Sequence, residues 1–127
     1  MIFADWCVLV ALFLPWLCAG YGKWQGGFSA RDNRDTRGFF ARAEGVAARA
    51  NAAQQNSFEI LPAFIFVVLL AQFSGNAATA TINLFAALFV LSRAIYIWCY
   101  ITDRAKWRSL SWGLGLLFIL ILFGAAI

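Results

Sequence analysis

Two stripes of polar side chains interrupt otherwise apolar stretches of this chain. At 100° per residue, Arg42, Arg49, Asn56 and Glu59 return to nearly one helix face. Arg93, Tyr96 and Tyr100 follow an i, i+3, i+7 pattern, so one guanidinium and two phenols share a second face. The stripes carry more arginine than carboxylate, and the basic run Arg104, Lys106, Arg108 follows at once. That surplus of positive charge favours an acidic ligand. The same residues also fit a buried Glu59–Arg93 ion pair that fixes helix register, with Asn56 and the tyrosines as interhelical hydrogen-bond partners.

Other chemistries lack their side chains. The sequence has no histidine, and its cysteines, Cys7, Cys18 and Cys99, form no C-x-x-C pair. No metal site and no histidine-dependent triad is expected. Cys7 and Cys18 lie eleven residues apart in one apolar run, about 16 Å along a helix axis, too far for a disulfide.

The elements that carry the stripes are read from composition. Of 127 residues 63% are hydrophobic, enough for four membrane spans of about 20 residues each, and only 13% are charged. With a mean hydropathy of +0.76, a water-soluble globular domain and a disordered chain are both excluded. The expected fold is an all-α membrane protein, one domain over 1–127, a four-transmembrane-helix up-and-down bundle. Its spans are placed at about 2–21, 39–73, 79–101 and 109–127. Pro15 is expected to kink the first span or be tolerated near its end. The second has a polar first half, which must avoid lipid, and an apolar run from Ile60 to Phe73.

The net charge of +4 is confined to two loops, a topology signal rather than a nucleic-acid patch, and no nucleic-acid partner is expected. Lys23, Arg31, Arg34, Arg37, Arg42 and Arg49 follow the first span; Arg104, Lys106 and Arg108 follow the third; the turn after the second has none. The positive-inside rule turns both loops to the cytoplasm and both chain termini to the non-cytoplasmic side. Glu59 then lies about 9 Å and Arg93 about 12 Å below the cytoplasmic boundary, so the two should face each other or a wet cavity. Trp24, Trp98, Trp107 and Trp112 near one end and Trp6 near the other read as an aromatic belt. Gly113, Gly115 and Gly124 read as close-packing positions in the last span.

The segment from Arg49 to Phe64, with Asn56, Glu59 and Pro62 in an Asn-x-x-Glu-x-x-Pro pattern, resembles the helix-two signature of the MAPEG superfamily, the membrane-associated proteins in eicosanoid and glutathione metabolism. Arg93 with Tyr100 seven residues on, Arg108-Ser109 at the start of the last span, and Asn33-Arg34 in the first loop extend the resemblance over nearly the whole chain. It implies a homotrimer in a membrane, and the short loops, similar to a bacterial branch, imply the bacterial inner membrane. It also implies glutathione bound between subunits near the cytoplasmic face and a lipophilic second substrate arriving from the lipids.

Carried over residue by residue, the resemblance gives glutathione binding to Asn56, Glu59, Arg93 and Tyr100, and a place beside its sulfur to Arg108 and Ser109. Arg49 and Tyr96 join them from their stripes. The implied activity is that of a transferase or peroxidase: a guanidinium and a hydroxyl stabilise the thiolate, which attacks an electrophilic carbon or a hydroperoxide. Ala52 and Gln55 depart from arginines, and Trp112 from a tyrosine, common in catalytic branches. A non-catalytic member of the same fold, binding an acidic lipid or metabolite or a membrane partner, stays open beside it. A small transporter is a third reading, against which stands the place of Asp5 near the end of its span.

Overall fold

The computed structural model describes residues 1–127 and is entirely helical: α1 (Phe3–Gln25), a 3-10 turn (Asp32–Arg34), α2 (Thr36–Arg42), α3 (Gly45–Ser74), α4 (Thr79–Ile101) and α5 (Ala105–Ala126). Four helices, all but the short α2, are long and apolar enough to cross a membrane. At 1.5 Å per residue the 30 residues of α3 span about 45 Å, well beyond a hydrocarbon core of about 30 Å. Its polar first third therefore projects past the core at the basic end, which is how this helix keeps its carboxamides and Arg49 out of lipid.

Three boundaries differ from the expected spans. The first helix runs on to Gln25, through the buried Pro15, and the last begins four residues early, at Ala105. The larger difference is at the second span, which starts at Gly45 rather than near Phe39. Ala43 and Glu44 are extended, and Gly45 has φ of +58°, a left-handed conformation that glycine takes without a Cβ penalty. The residues before this break form α2, whose N-terminus is capped by Asp35 accepting from the Gly38 N–H at 2.9 Å. Arg42 belongs to α2, so it drops out of the stripe that begins at Arg49.

Phe39 and Phe40 hold α2 down. A Cβ at Gly26 would sit 2.7 Å from the Phe39 ring, and one at Gly22 3.0 Å from the Phe40 ring and 3.2 Å from Ala50. Those two glycines, one in the last turn of α1 and one just past its end, make the seat for the aromatic pair. Just before α2, the Ser29 N–H and hydroxyl donate to Asp32, which holds its carboxyl below the usual carboxylate range.

Helix α1 packs along α3 and α4 along α5; α3 also touches α4 and α5, and α1 touches α4 but not α5. Small residues allow the close α1–α3 contact: Ala47, Ala50, Ala53 and Ala71 are all buried. At the centre Phe64 of α3 stacks on Phe89 of α4, with ring centroids 3.9 Å apart and both side chains closed off from the surface. Phe64→Ala should therefore cost about 3 kcal/mol, read as a lowered midpoint of unfolding in detergent, because it removes the stack and leaves a void at a fully buried position. Of the three glycines of α5, Gly115 packs against Ser92, whereas Gly113 and Gly124 face open space. The close-packing expectation holds within the chain for Gly115 alone.

The uncharged end is tied by side-chain amides. Gln72 donates to Asp5 at 2.8 Å, the Ala4 N–H to Asn83 at 2.9 Å, and Asn76 to the Ala126 carbonyl at 3.0 Å. Asp5 also accepts from the Ile2 N–H, so its carboxylate caps α1 and joins it to α3. All three cysteines are free and buried.

Candidate functional site

Arg93 stands at the centre of the polar constellation, only 2% exposed, where α1, α3 and α4 meet. One of its terminal nitrogens donates to Asn56 Oδ1 at 2.8 Å and Ser57 Oγ at 3.3 Å. Its guanidinium carbon lies 4.1 Å from the centroid of the Tyr96 ring. The Nε and Nη1 donors are buried and have no partner.

From Arg93 the arrangement runs outward as an alternation of cations and rings. Tyr96 meets Tyr100 edge to face, with centroids 5.7 Å apart, and the Arg108 guanidinium lies 4.4 Å from the Tyr100 centroid. The i, i+3, i+7 spacing on α4 makes the first half of this stack. The turn at Thr102–Arg104 supplies the rest, returning α5 along α4 so that Arg108 comes back over Tyr100. Asp103 there takes a φ of +60°, and the Arg104 N–H reaches the Cys99 carbonyl at 2.8 Å.

Tyr96, Tyr100, Arg108, Ser109 and Trp112 line one groove of about 230 Å³ at the basic end. Four of the expected site residues thus meet on one surface. Trp112, read from the sequence as part of the aromatic belt, forms the fifth wall. In chemical terms the groove offers a guanidinium, two phenols, an aliphatic hydroxyl and a flat indole, a set suited to a small anion with an apolar neighbour.

The remaining expected residues lie apart from the groove. Arg49 is half-buried and donates from Nε to the Ile101 carbonyl at 3.2 Å, closing the C-terminal end of α4. Asn56 is half-buried between Arg93 and the surface. Glu59 is exposed and makes no ion pair with Arg93. The expected facing pair is corrected by rotation about α3: Arg93 enters between Asn56 and Ser57, and Glu59 lies about 60° beyond Asn56 on the side away from Ser57, where it is exposed. The depths match, and the directions do not. No carboxylate pairs with any cation in the chain.

A second, larger hollow of about 580 Å³ lies on the other flank, between α1, α2 and α3. Lys23 and Arg37 stand at its rim with Asn51, Gln54 and Gln55 on its wall, and Trp16 and Phe58 give it an apolar side. Gln54 Oε1 is buried there without a partner. Sequence reasoning did not assemble this hollow. The signal was present in the run Asn51, Gln54, Gln55, which stays on one face of α3 beside Phe58, but its other wall depends on where α2 folds back.

Four apolar helices, with an aromatic groove that carries the Arg108 guanidinium at one end, define an integral membrane protein of the four-helix bundle class. The family model of the MAPEG family matches residues 3–127, essentially the whole chain, and the protein belongs to that family. No curated protein matches it.

Proposed function

We propose that the protein is a glutathione-dependent transferase or peroxidase that acts on lipophilic substrates from the bilayer. The observation that carries this reading is the groove of Tyr96, Tyr100, Arg108, Ser109 and Trp112, in which a guanidinium and hydroxyls converge with no carboxylate among them. A thiol of pKa about 8.5 is only a few per cent ionised at neutral pH, and each unit of depression takes about 1.4 kcal/mol of preference for the anion. Arg108 and the Ser109 hydroxyl beside the sulfur would supply one or two units. The thiolate forms a bond to an electrophilic carbon as the leaving group departs, or attacks the terminal hydroperoxide oxygen and breaks the O–O bond, giving a sulfenic acid that a second glutathione converts to disulfide and water, and an alkoxide that takes a proton from solvent and leaves as the alcohol.

The working unit in this reading is a homotrimer in the bacterial inner membrane, with the basic end and the groove at the cytoplasmic face and both termini opposite. Gln55, Glu59, Pro62, Phe66, Leu69 and Phe73 are all exposed on α3 and recur at alternating steps of four and three. That is the spacing of a helix seam covered by other helices, and a seam that includes the Glu59 carboxylate is costly against lipid. In such a trimer the α1–α3 hollow would supply Lys23, Arg37 and Gln54, which complement a carboxylated tripeptide with a cationic amine. Asn56, Glu59 and Arg49 border the same face.

Thermal unfolding in detergent with increasing glutathione tests the reading. Saturable stabilisation is expected, following RT ln(1 + [L]/Kd), or about 2.7 kcal/mol at a hundred times Kd. Absence of any shift at millimolar glutathione would transfer the groove to an acidic lipid or metabolite and the protein to the non-catalytic branch. Proton-coupled flux in proteoliposomes would instead favour transport.

A further inference from the structure

Arg93 is too enclosed to touch a ligand in the groove, yet two of the three residues it contacts, Tyr96 and Asn56, are on the way out to one. We infer that Arg93 is a positioning residue: it sets the Tyr96 ring and the Asn56 carboxamide for a ligand that it never contacts. The inference rests on the glutathione reading and reassigns one of its residues.

Three observations support it. The side chain is 2% exposed, and the hollow it lines with Ala11, Leu14, Ser57, Ile60, Leu61 and Phe89 has a volume of only about 10 Å³. That volume is about one water and far below a peptide carboxylate. Second, its contacts pass outward through intermediaries: the guanidinium supports the inner face of Tyr96, which lines the groove, and Nη2 holds Asn56 by its carbonyl oxygen, leaving the Asn56 amide hydrogens for another acceptor. Third, no carboxylate pairs with it, so the charge is retained at a burial where an apolar residue would pack at less cost. A lysine could not replace it, because stacking on the ring while reaching Asn56 and Ser57 needs a planar fork.

The Nε and Nη1 donors are buried without a protein partner, so the contacts that fix the guanidinium are those with Asn56, Ser57 and the Tyr96 ring.

The test is ligand binding to the detergent-purified protein by calorimetry, using glutathione, its glycine ethyl ester and cysteinylglycine, so that each charged end is removed in turn. Arg93→Lys is expected to fold and to weaken all three by the same factor, about tenfold for the loss of the stack and one hydrogen bond. An Arg93→Lys that binds like wild type overturns the positioning role. So does a loss confined to glutathione and one analogue, because the penalty would then vanish with one ligand carboxylate and mark direct contact. Ser57→Ala, which meets the ligand through nothing but Arg93, should weaken all three by about threefold if the lysine variant does not fold, and an unchanged affinity there counts against the role equally. Wild-type protein that binds none of the three overturns the glutathione reading itself, a result distinct from all of these.

Discussion

Replacing Arg108 with alanine is expected to slow conjugation of glutathione to an aryl halide by about eightfold to twenty-fivefold at neutral pH, the fall in thiolate fraction on losing one to two units of thiol pKa depression. The sign follows from the charge: a guanidinium near the sulfur favours the anion, so the wild-type rate should level off near neutral pH. The variant's rate should keep rising until the free thiol ionises near 8.5. At that pH the two proteins should differ least. Arg108 is half-buried at the groove wall and contacts Tyr100, and nothing in the packing of the four spans depends on it. Stability and assembly should therefore persist. A variant with an unchanged rate would remove Arg108 from the sulfur, and one with a uniformly lowered rate at every pH would assign it to binding alone.

Phe66→Arg should convert a trimer into single chains, seen as a threefold fall in the protein mass measured in mild detergent. Phe66 is 58% exposed and lies on the α3 seam near the middle of the span. A guanidinium at that depth costs roughly 3 kcal/mol per chain, and three of them around an axis have no counter-charge. In a lone chain the same side chain can extend towards the headgroups. A wild-type protein that already runs as a single chain would overturn the seam, and with it the shared site. An arginine variant that stays trimeric would move the contact to another helix.

Much of the fold was legible in the sequence because each span is a long apolar run with its breaks marked by charge or glycine. Same-face relations along one helix were legible too: Arg93, Tyr96 and Tyr100 do form one stack. Rotation of one helix against another was not. Glu59 and Arg93 sit at compatible depths, but periodicity on α3 says nothing about which of its faces meets α4, and that choice belongs to the packing of Phe64 on Phe89 and the alanines on α1. The separate helix α2 was hidden for a related reason. Phe39 and Phe40 continue the apolar pattern of the next span, and the break behind them has no proline, only Gly45. The groove came out nearly whole because the family resemblance and the α4 spacing converged on it. The α1–α3 hollow did not, since it exists only once α2 has folded back.

The chain holds itself together with packed apolar surfaces and with hydrogen bonds in which a charged side chain meets a neutral partner, such as Gln72 on Asp5 and Arg93 on Asn56, rather than with carboxylate–cation pairs. The scaffold of a single chain thus has little to lose when counter-ions crowd the basic end. Ionic strength becomes a selective probe: salt weakens what the exposed cations do to an anion arriving from water while leaving the bundle's cohesion nearly untouched. For this protein, the slope of ligand affinity against salt is a direct reading of how many arginines and lysines the bound molecule engages, free of the usual confusion with unfolding.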